Sequence, residues 1–136
     1  MFKIILFMQG SLAIECARAA TLVFGEQDEV EAYPLELGCD VDVVRERIKK
    51  SILDSNEKGQ EVLALTDLMN GTPFNTMMQL SGDCRFRHFT GTNFPLLLEV
   101  LNRRMSQDMD AAVSGLAEAA KNGIYDCDTF LEQIKL

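Results

Sequence analysis

The chain has 136 residues, a length that fits one domain with a sizeable hydrophobic core. Its formal net charge of -8 argues against a nucleic-acid-binding protein, which needs a basic surface. No apolar run reaches the roughly 18 residues of a membrane span, and no cleavage pattern of a secretory signal follows the apolar N-terminus. The four cysteines form no CxxC pair. We therefore expect a cytoplasmic single-domain protein over residues 1–136, with reduced thiols, no bound metal and no direct membrane insertion.

Four segments have the apolar patterns of β-strands. Residues 4–7 and 62–65 are continuous apolar runs, which is typical of central parallel strands covered on both faces. Residues 30–34 alternate in polarity and end in a proline, which indicates an edge strand. Residues 85–90 are mixed in polarity, so we expect this strand at the periphery as well.

Apolar residues recur at helical spacing in five further stretches. The first should end at Gly25, a favourable C-cap residue, and the fifth at Gly123. Thr72 and Pro73 predict the start of the third helix, as an N-cap residue followed by proline at the first helical position. Residues 124–136 are ambiguous between strand and helix. The apolar faces lie, in chain order, within residues 12–23, 41–52, 74–78, 96–101 and 109–120.

Alternating strands and helices predict the fold class. The element order β-α-β-α-β-α-β-α-α indicates an α/β fold with a doubly wound, mainly parallel sheet and helices on both faces. Right-handed crossovers place the two apolar strands inside, which gives the strand order 2-1-3-4. The topological switch point then lies between the first and third strands, and ligands of such sheets bind there, beyond the carboxyl ends of the strands.

Two segments meet at this switch point, residues 8–11 and residues 66–73. Each ends at a helix N-terminus, where unpaired backbone N–H groups carry a partial positive charge. Together they favour an anion site, with phosphate as the obvious ligand. A nucleotide-binding interpretation has no support, because neither GxGxxG nor GxxxxGK[ST] occurs in the chain.

Residues 1–123 resemble the IIA component of mannose-family sugar phosphotransferase systems (PTS). The third of four matching stretches, TDLMNGTPFN, is the most specific, since the family has a TD-x-x-GGSPFN-like segment there. The stretches occur in the right order. They are the opening strand with Gln9 and Gly10, and residues 22–27, 66–75 and 91–97.

The resemblance implies a role in phosphoryl relay. The family passes a phosphoryl group from the phosphocarrier protein HPr to a histidine of the IIA domain, and from there to a IIB component. That histidine precedes the glycine of the first loop, a position held here by Gln9, and Asp67 matches the aspartate that orients it. The resemblance also implies homodimers, which in some members exchange a C-terminal strand; residues 124–136 are the segment concerned. It implies no cofactor.

Further site residues follow from the same resemblance. Thr72 stands where the family usually has serine, and Asn70 where it has the first of two glycines. We expect the phosphate-binding groups to lie at both helix N-termini, with Asn70 and Asn93 as further candidates. The expected phosphate-binding residues are Gly10, Ser11, Gly71 and Thr72.

Glutamine at position 9 changes the expected chemistry. A neutral histidine nitrogen is a good nucleophile near pH 7, whereas an amide nitrogen is not basic and forms no useful phosphoramidate. Glutamine roughly fills the shape of histidine and can hydrogen-bond Asp67. The chain should therefore keep the fold and the site but should not transfer phosphoryl groups. Two alternatives remain: a non-catalytic regulatory or scaffolding module that binds phosphocarrier proteins or a small anion, and the phosphotransfer domain of dihydroxyacetone kinase systems. The sequence also leaves open whether glutamine is natural or engineered.

Several of these residues also have ordinary structural interpretations. Instead of a site role, Asp67 could serve as a turn residue or as a helix-capping acceptor. Asn93 could simply cap the fourth helix. His88 is the only histidine and so the only other candidate acceptor, but it lies inside a strand, which favours a structural role. Met8 and Met69 flank the site and suit either an apolar rim for a partner or packed loop positions.

Overall fold

The computed structural model describes residues 1–135 as a four-stranded parallel sheet with helices on both faces. The sheet order is β2-β1-β3-β4, as the sequence predicts. The strands are β1 Lys3–Gln9, β2 Val30–Leu35, β3 Val62–Thr66 and β4 Arg87–Phe89. The helices are α1 Leu12–Phe24, α2 Val41–Glu57, α3 Thr72–Leu80, α4 Phe94–Arg103, α5 Met109–Val113, α6 Leu116–Lys121 and α7 Cys127–Ile134.

The core has two parts, one on each face of the sheet. Successive side chains of a strand point to opposite faces, so Ile4, Leu6 and Met8 of β1 pack with α1, α4, α5 and α6. Ile5 and Phe7 of the same strand pack with α2 and α3. Burial on both faces explains why the central strands are continuous apolar runs in the sequence.

Three predicted boundaries differ from the structure. Gly71 is the N-cap residue of α3, so Thr72 is the first helical residue rather than the cap, and Pro73 is the second. The predicted fifth helix is two helices, because Gly115 adopts a left-handed conformation (φ 65°) between α5 and α6. The strand predicted over residues 85–90 is limited to β4, three residues long.

The C-terminal segment is helical. For residues 124–136 the sequence left strand and helix open, and the structure forms α7 within it, with the Asp126 side chain accepting a hydrogen bond from the Asp128 N–H. The resemblance implied a strand for exchange, whereas the described part of the segment contains none. Residues 124–135 are all exposed, so they do not pack on their own domain. Leu136, part of the same prediction, lies outside the described residues.

Arg104 ties the amino edge of the sheet together. Its side chain is buried and donates hydrogen bonds to the carbonyl oxygens of Phe2, Asp28 and Glu29. Burial lowers the pKa of the guanidinium, and the nearby charges of Glu29 and Asp28 oppose that shift. The contact joins the end of α4 to the chain entering β1 and to the chain entering β2.

Candidate functional site

Gln9 and Asp67 meet at the carboxyl edge of the sheet. β1 and β3 are paired up to Phe7 and Thr66, so Asp67, the residue after β3, lies beside the last residues of β1. Asp67 Oδ2 accepts a hydrogen bond of 2.9 Å from the backbone N–H of Gln9. The structure thus brings the two residues together as predicted, but through the Gln9 backbone and not through its side-chain amide.

The second carboxylate oxygen of Asp67 lacks a partner. Within residues 1–135, Oδ1 is buried and accepts no hydrogen bond. Thr92 Oγ1 is likewise buried and unpaired, although the Thr92 N–H donates to the Thr66 carbonyl oxygen at 3.1 Å. A buried acceptor without a donor costs about 1–3 kcal/mol, so a donor placed against Oδ1 would be stabilised.

Gly10 and Ser11 form the turn between β1 and α1. The Gly10 N–H donates to the Leu35 carbonyl oxygen at 2.9 Å, and the Leu35 N–H donates back at 3.0 Å. Gly10 has φ 55°, in the left-handed region that favours glycine. Ser11 is the N-cap residue of α1, but its side chain makes no capping hydrogen bond.

The loop between β3 and α3 brings its backbone against Gln9. Asn70 has φ 66°, a left-handed conformation that glycine and asparagine tolerate best, which fits the family's use of glycine there. A Cβ atom on Gly71 would lie 3.2 Å from Gln9 Nε2 and 3.1 Å from the Leu68 carbonyl oxygen. The absence of a side chain at Gly71 therefore lets the Gln9 amide lie against the start of α3.

The helices that follow the two central strands, α1 after β1 and α3 after β3, begin without a side-chain cap. Of the helices with eight or more residues, α2, α4 and α7 begin at an Asp or Asn whose side chain accepts a backbone N–H. α1 and α3 have no such bond. Their first-turn N–H groups are thus available to an anion, and the helix dipoles favour one. Thr72, the first residue of α3, contributes its N–H to this set.

Asn93 has a structural role in this conformation. Its Oδ1 accepts the Leu96 N–H at 2.9 Å and so caps α4, and its Nδ2 donates to the Ala120 carbonyl oxygen at 3.1 Å. Both ends of the amide are engaged within the domain. The capping interpretation is therefore confirmed, and nothing in the geometry supports a direct site role for Asn93.

His88 supports the edge from within β4. Its Nε2 lies 2.8 Å from Thr66 Oγ1, and that hydroxyl donates to Thr90 Oγ1 at 2.9 Å. The ring packs against Phe74 and Phe86, and burial lowers its pKa. The sequence did not predict this chain of hydrogen bonds, since nothing in it pairs residue 66 with residue 88.

Exposed apolar side chains lie on the two segments that form the site. Leu68 and Met69 of the β3–α3 loop are 59% and 60% exposed, and Leu12 at the start of α1 is 45% exposed. Met8, by contrast, is buried in the core. Of the two methionines considered for an apolar rim, only Met69 belongs to it. Met8 points inward because it continues the inward-facing series of β1.

Residues 1–135 were compared with the requirements of a metal site and of a membrane-spanning helix, and they meet neither. Residues 1–135 contain no group of three or more His, Cys, Asp or Glu side chains that could hold a metal ion. None of the described helices has the length and hydrophobicity needed to cross a membrane.

Comparison with known proteins identifies the family. The family model EIIA-man, described as PTS system fructose IIA component, matches residues 3–116. The chain belongs to this family. Its family-defining region includes the Gln9–Asp67 edge and both uncapped helices, and excludes α7. It is accordingly a PTS IIA component of the mannose/fructose family.

Individual PTS IIA proteins show the same relationship. The "PTS system fructose-specific EIIA component" of Bacillus subtilis is 28% identical over 136 residues, covering 99% of this chain and 92% of that protein. The crystal structure of the phosphotransferase system component EIIA from Streptococcus agalactiae superposes with a TM-score of 0.85 at 28% identity, covering 95% of this chain and 99% of that one. The PTS IIA protein associated with the fucose utilization operon of Streptococcus pneumoniae shares the fold, with a TM-score of 0.79 at 24% identity over 96% and 97%.

Proposed function

We propose that this PTS IIA component keeps the surface that receives HPr and a IIB component but accepts no phosphoryl group itself. The observation that carries the proposal is the pairing of Gln9 with Asp67: the Asp67 carboxylate is bound to the Gln9 backbone through Oδ2, while Oδ1 has no donor within residues 1–135. A histidine at position 9 is the nucleophile that the family resemblance implies, and glutamine stands in its place.

The side chain at position 9 decides the chemistry. In the active relay, a ring nitrogen lone pair attacks the phosphorus of phospho-HPr, the P–N bond to HPr breaks, and the HPr imidazole leaves with the electron pair. The Gln9 amide nitrogen has no basic lone pair and cannot perform this attack. The free Asp67 Oδ1 is an acceptor that could fix the tautomer of a histidine ring by taking its other N–H.

The rest of the site is suited to binding a phosphoryl group. Uncapped N–H groups of α1 and α3 would receive its oxygens, and phosphoryl transfer depends mainly on such positioning and electrostatic stabilisation. Binding of the phosphoryl oxygens by these N–H groups needs no nucleophile at position 9. The Gln9 chain would therefore bind a phosphorylated partner without taking its phosphoryl group.

Exposed apolar side chains beside the site favour a protein partner. Leu12, Leu68 and Met69 are exposed on the segments that carry Gln9 and Asp67, and we take them to form an apolar rim of the site. We assign this rim to docking of HPr and the IIB component, in the cytoplasm. We also propose that the chain acts as a homodimer.

A second candidate function is supported by Gln9 itself. A module with an intact site and no nucleophile is suited to regulation or scaffolding, because it can bind phosphocarrier proteins or a small anion without consuming them. The matched family is a sugar-transport one, which favours a PTS component over the dihydroxyacetone kinase relative.

Titration of the isotope-labelled chain with HPr and with phospho-HPr tests the docking proposal. Amide shifts should concentrate at residues 8–12 and 66–74 with either form, phospho-HPr should bind more tightly, and its phosphoryl group should stay on HPr. A titration with inorganic phosphate alone distinguishes the two candidate functions. A module that binds small anions should show saturable amide shifts with phosphate, whereas a protein-docking surface should not. Shifts confined to other faces of the domain would contradict the proposal.

A further inference from the structure

An asparagine followed by a glycine occurs twice in the chain, at Asn70–Gly71 and at Asn122–Gly123. In such a pair the backbone nitrogen of the glycine can attack the side-chain carbonyl carbon of the asparagine, because glycine has no Cβ atom to hinder the approach. Both asparagines are exposed, so exposure does not distinguish the two pairs. They differ in backbone conformation and in the helix end beside which each one lies.

Asn70 lies at the positive end of a helix. It precedes Gly71, the N-cap residue of α3, whose first turn has neither an acidic side chain nor a side-chain cap. Attack by the Gly71 nitrogen requires loss of its proton and forms an oxyanion on the side-chain carbonyl group of Asn70. Both changes place negative charge beside the uncapped N–H groups of α3, which stabilise it.

The turn that holds Gly71 can open without disturbing the core. The Gly71 N–H donates to the Leu68 carbonyl oxygen at 3.0 Å, and Asn75 Nδ2 donates to the Asn70 carbonyl oxygen at 3.2 Å. Asn70 has φ 66° and lies outside any helix or strand. Because Leu68, Met69 and Asn70 are all exposed, opening the turn breaks two hydrogen bonds but moves no buried side chain.

Asn122 has the opposite environment. It is the C-cap residue of α6, with φ -71° and ψ -5°, and so lies at the negative end of a helix. Its N–H donates to the Glu118 carbonyl oxygen at 3.0 Å. Gly123 packs so closely on Pro95 that a Cβ atom on Gly123 would lie 2.5 Å from Pro95 Cβ. The fold therefore protects this pair and favours reaction at Asn70.

We propose that Asn70 is a site of spontaneous modification, where cyclisation with Gly71 and hydrolysis leave a carboxylate at the start of α3. The Gly71 nitrogen forms a bond to Asn70 Cγ, and the side-chain nitrogen leaves as ammonia, taking up the Gly71 proton through water. The product is a five-membered succinimide ring, which a second water molecule opens. Opening at the side-chain carbonyl gives aspartate and opening at the main-chain carbonyl gives isoaspartate, and either product carries one negative charge.

The modification should weaken the anion site from within. A carboxylate at position 70 lies beside the α3 N–H groups that a phosphoryl oxygen would otherwise use. Isoaspartate also adds one main-chain carbon before Gly71, the residue that lies against the Gln9 amide. This consequence rests on the anion site of the proposed function, whereas the reaction at Asn70 does not.

Peptide mass spectrometry of the aged full chain tests the reaction. Folded protein is kept in mildly alkaline buffer, and deamidation at residues 70 and 122 is followed in the same sample. We expect residue 70 to convert about 10-fold faster. In urea above the unfolding transition the two rates should converge, because both pairs are then unstructured. Equal rates in the folded chain, or a ratio that persists in urea, would overturn the proposal.

Three variants test the consequence for the site. Asn70→Gly retains a residue that tolerates φ 66° and should abolish conversion at position 70 only. Asn70→Asp should shift the Gln9 side-chain amide resonances and weaken binding of inorganic phosphate about 5-fold, the effect of a unit charge about 4 Å away in water. Asn122→Asp adds the same charge at the protected pair and should change neither property.

The outcomes distinguish this proposal from the proposed function. If the unmodified chain binds no phosphate, the proposed anion site is wrong, and the ratio of deamidation rates still decides whether Asn70 is modified. If Asn70→Asp leaves the Gln9 amide resonances as unchanged as Asn122→Asp does, the link between residue 70 and the site is wrong.

Discussion

Asp67 uses one carboxylate oxygen to hold the backbone N–H of Gln9 at 2.9 Å and leaves the other buried without a donor among residues 1–135. The first contact fixes the end of β1 whatever side chain stands at position 9, because it involves the backbone alone. The second oxygen is available to that side chain. Asp67 can therefore keep its structural role in a chain whose residue 9 is not a nucleophile.

Removing the Asp67 carboxylate should separate these two roles. In a Gln9→His chain we expect Asp67→Ala to slow phosphorylation by phospho-HPr by about 10- to 10⁴-fold, the range for losing an acid–base partner. In the Gln9 chain the same substitution should cost at most about 1 kcal/mol of unfolding free energy, because removing the unpaired Oδ1 offsets part of the lost hydrogen bond to Gln9. Quench-flow labelling and urea denaturation measure the two effects. Equal phosphorylation rates with and without Asp67 would contradict its assignment.

Gly71→Ala should disturb the site through a steric contact. The added methyl group would meet the Leu68 carbonyl oxygen and the Gln9 amide at 3.1 and 3.2 Å. We expect a loss of about 1 kcal/mol, typical of overpacking, with displacement of the Gln9 side-chain amide resonances. Gly82→Ala is the matched control, since a Cβ there meets nothing within 4 Å. Identical behaviour of the two variants in denaturation and amide spectra would show that the close approach is unimportant.

Arg104→Ala should be among the most destabilising single changes. It leaves the carbonyl oxygens of Phe2, Asp28 and Glu29 without their donor, and an unpaired buried polar group costs about 1–3 kcal/mol. We expect a loss of about 3 kcal/mol or more in urea denaturation. Arg18→Ala removes an exposed arginine paired with Glu15 and should change stability by less than about 1 kcal/mol. Comparable losses for both would argue against the role of Arg104.

His88 should make stability fall on mild acidification. Burial lowers the pKa of His88 in the folded chain, whereas the unfolded chain titrates near 6.5. Below that pH the unfolded chain binds a proton that the folded chain resists, so the contribution of His88, present above the unfolded pKa, is lost as pH falls toward the folded pKa. The difference in unfolding free energy between the Gln9 chain and its His88→Gln variant should shrink from pH 7.5 to pH 5.5. Parallel curves for the two chains would contradict this account.

The sequence predicts the strand order and the meeting of Gln9 with Asp67 because both depend on regular patterns. Continuous apolar strands must be central, and residues that follow paired parallel strands share one edge. Prediction from the sequence fails where a contact between distant residues determines the position of a side chain. Nothing local indicates that Asp67 binds a backbone N–H, or that His88 reaches Thr66.

Helix ends were harder to predict than helix positions. Threonine is a good N-cap residue, yet Gly71 takes that place in α3, because glycine is what the close approach of Gln9 requires. The apolar series of α5 and α6 resembles that of one helix because its spacing continues through Gly115, where only the backbone angle shows the break. In residues 124–135 the apolar spacing fits more than one structure, since no core selects a face.

The central claim is that only the nucleophile is missing, and one labelling experiment tests it most directly. The Gln9 chain and its Gln9→His variant are incubated with labelled phosphoenolpyruvate, the first PTS enzyme and HPr, and phosphate incorporation is measured on each. We predict none on the Gln9 chain, and stoichiometric, acid-labile label on the introduced histidine of the variant, because the uncapped starts of α1 and α3 and the Asp67 carboxylate are already in place. Label on the Gln9 chain would contradict the account and make His88 the next candidate acceptor. A folded variant without label would equally contradict it and favour the regulatory module.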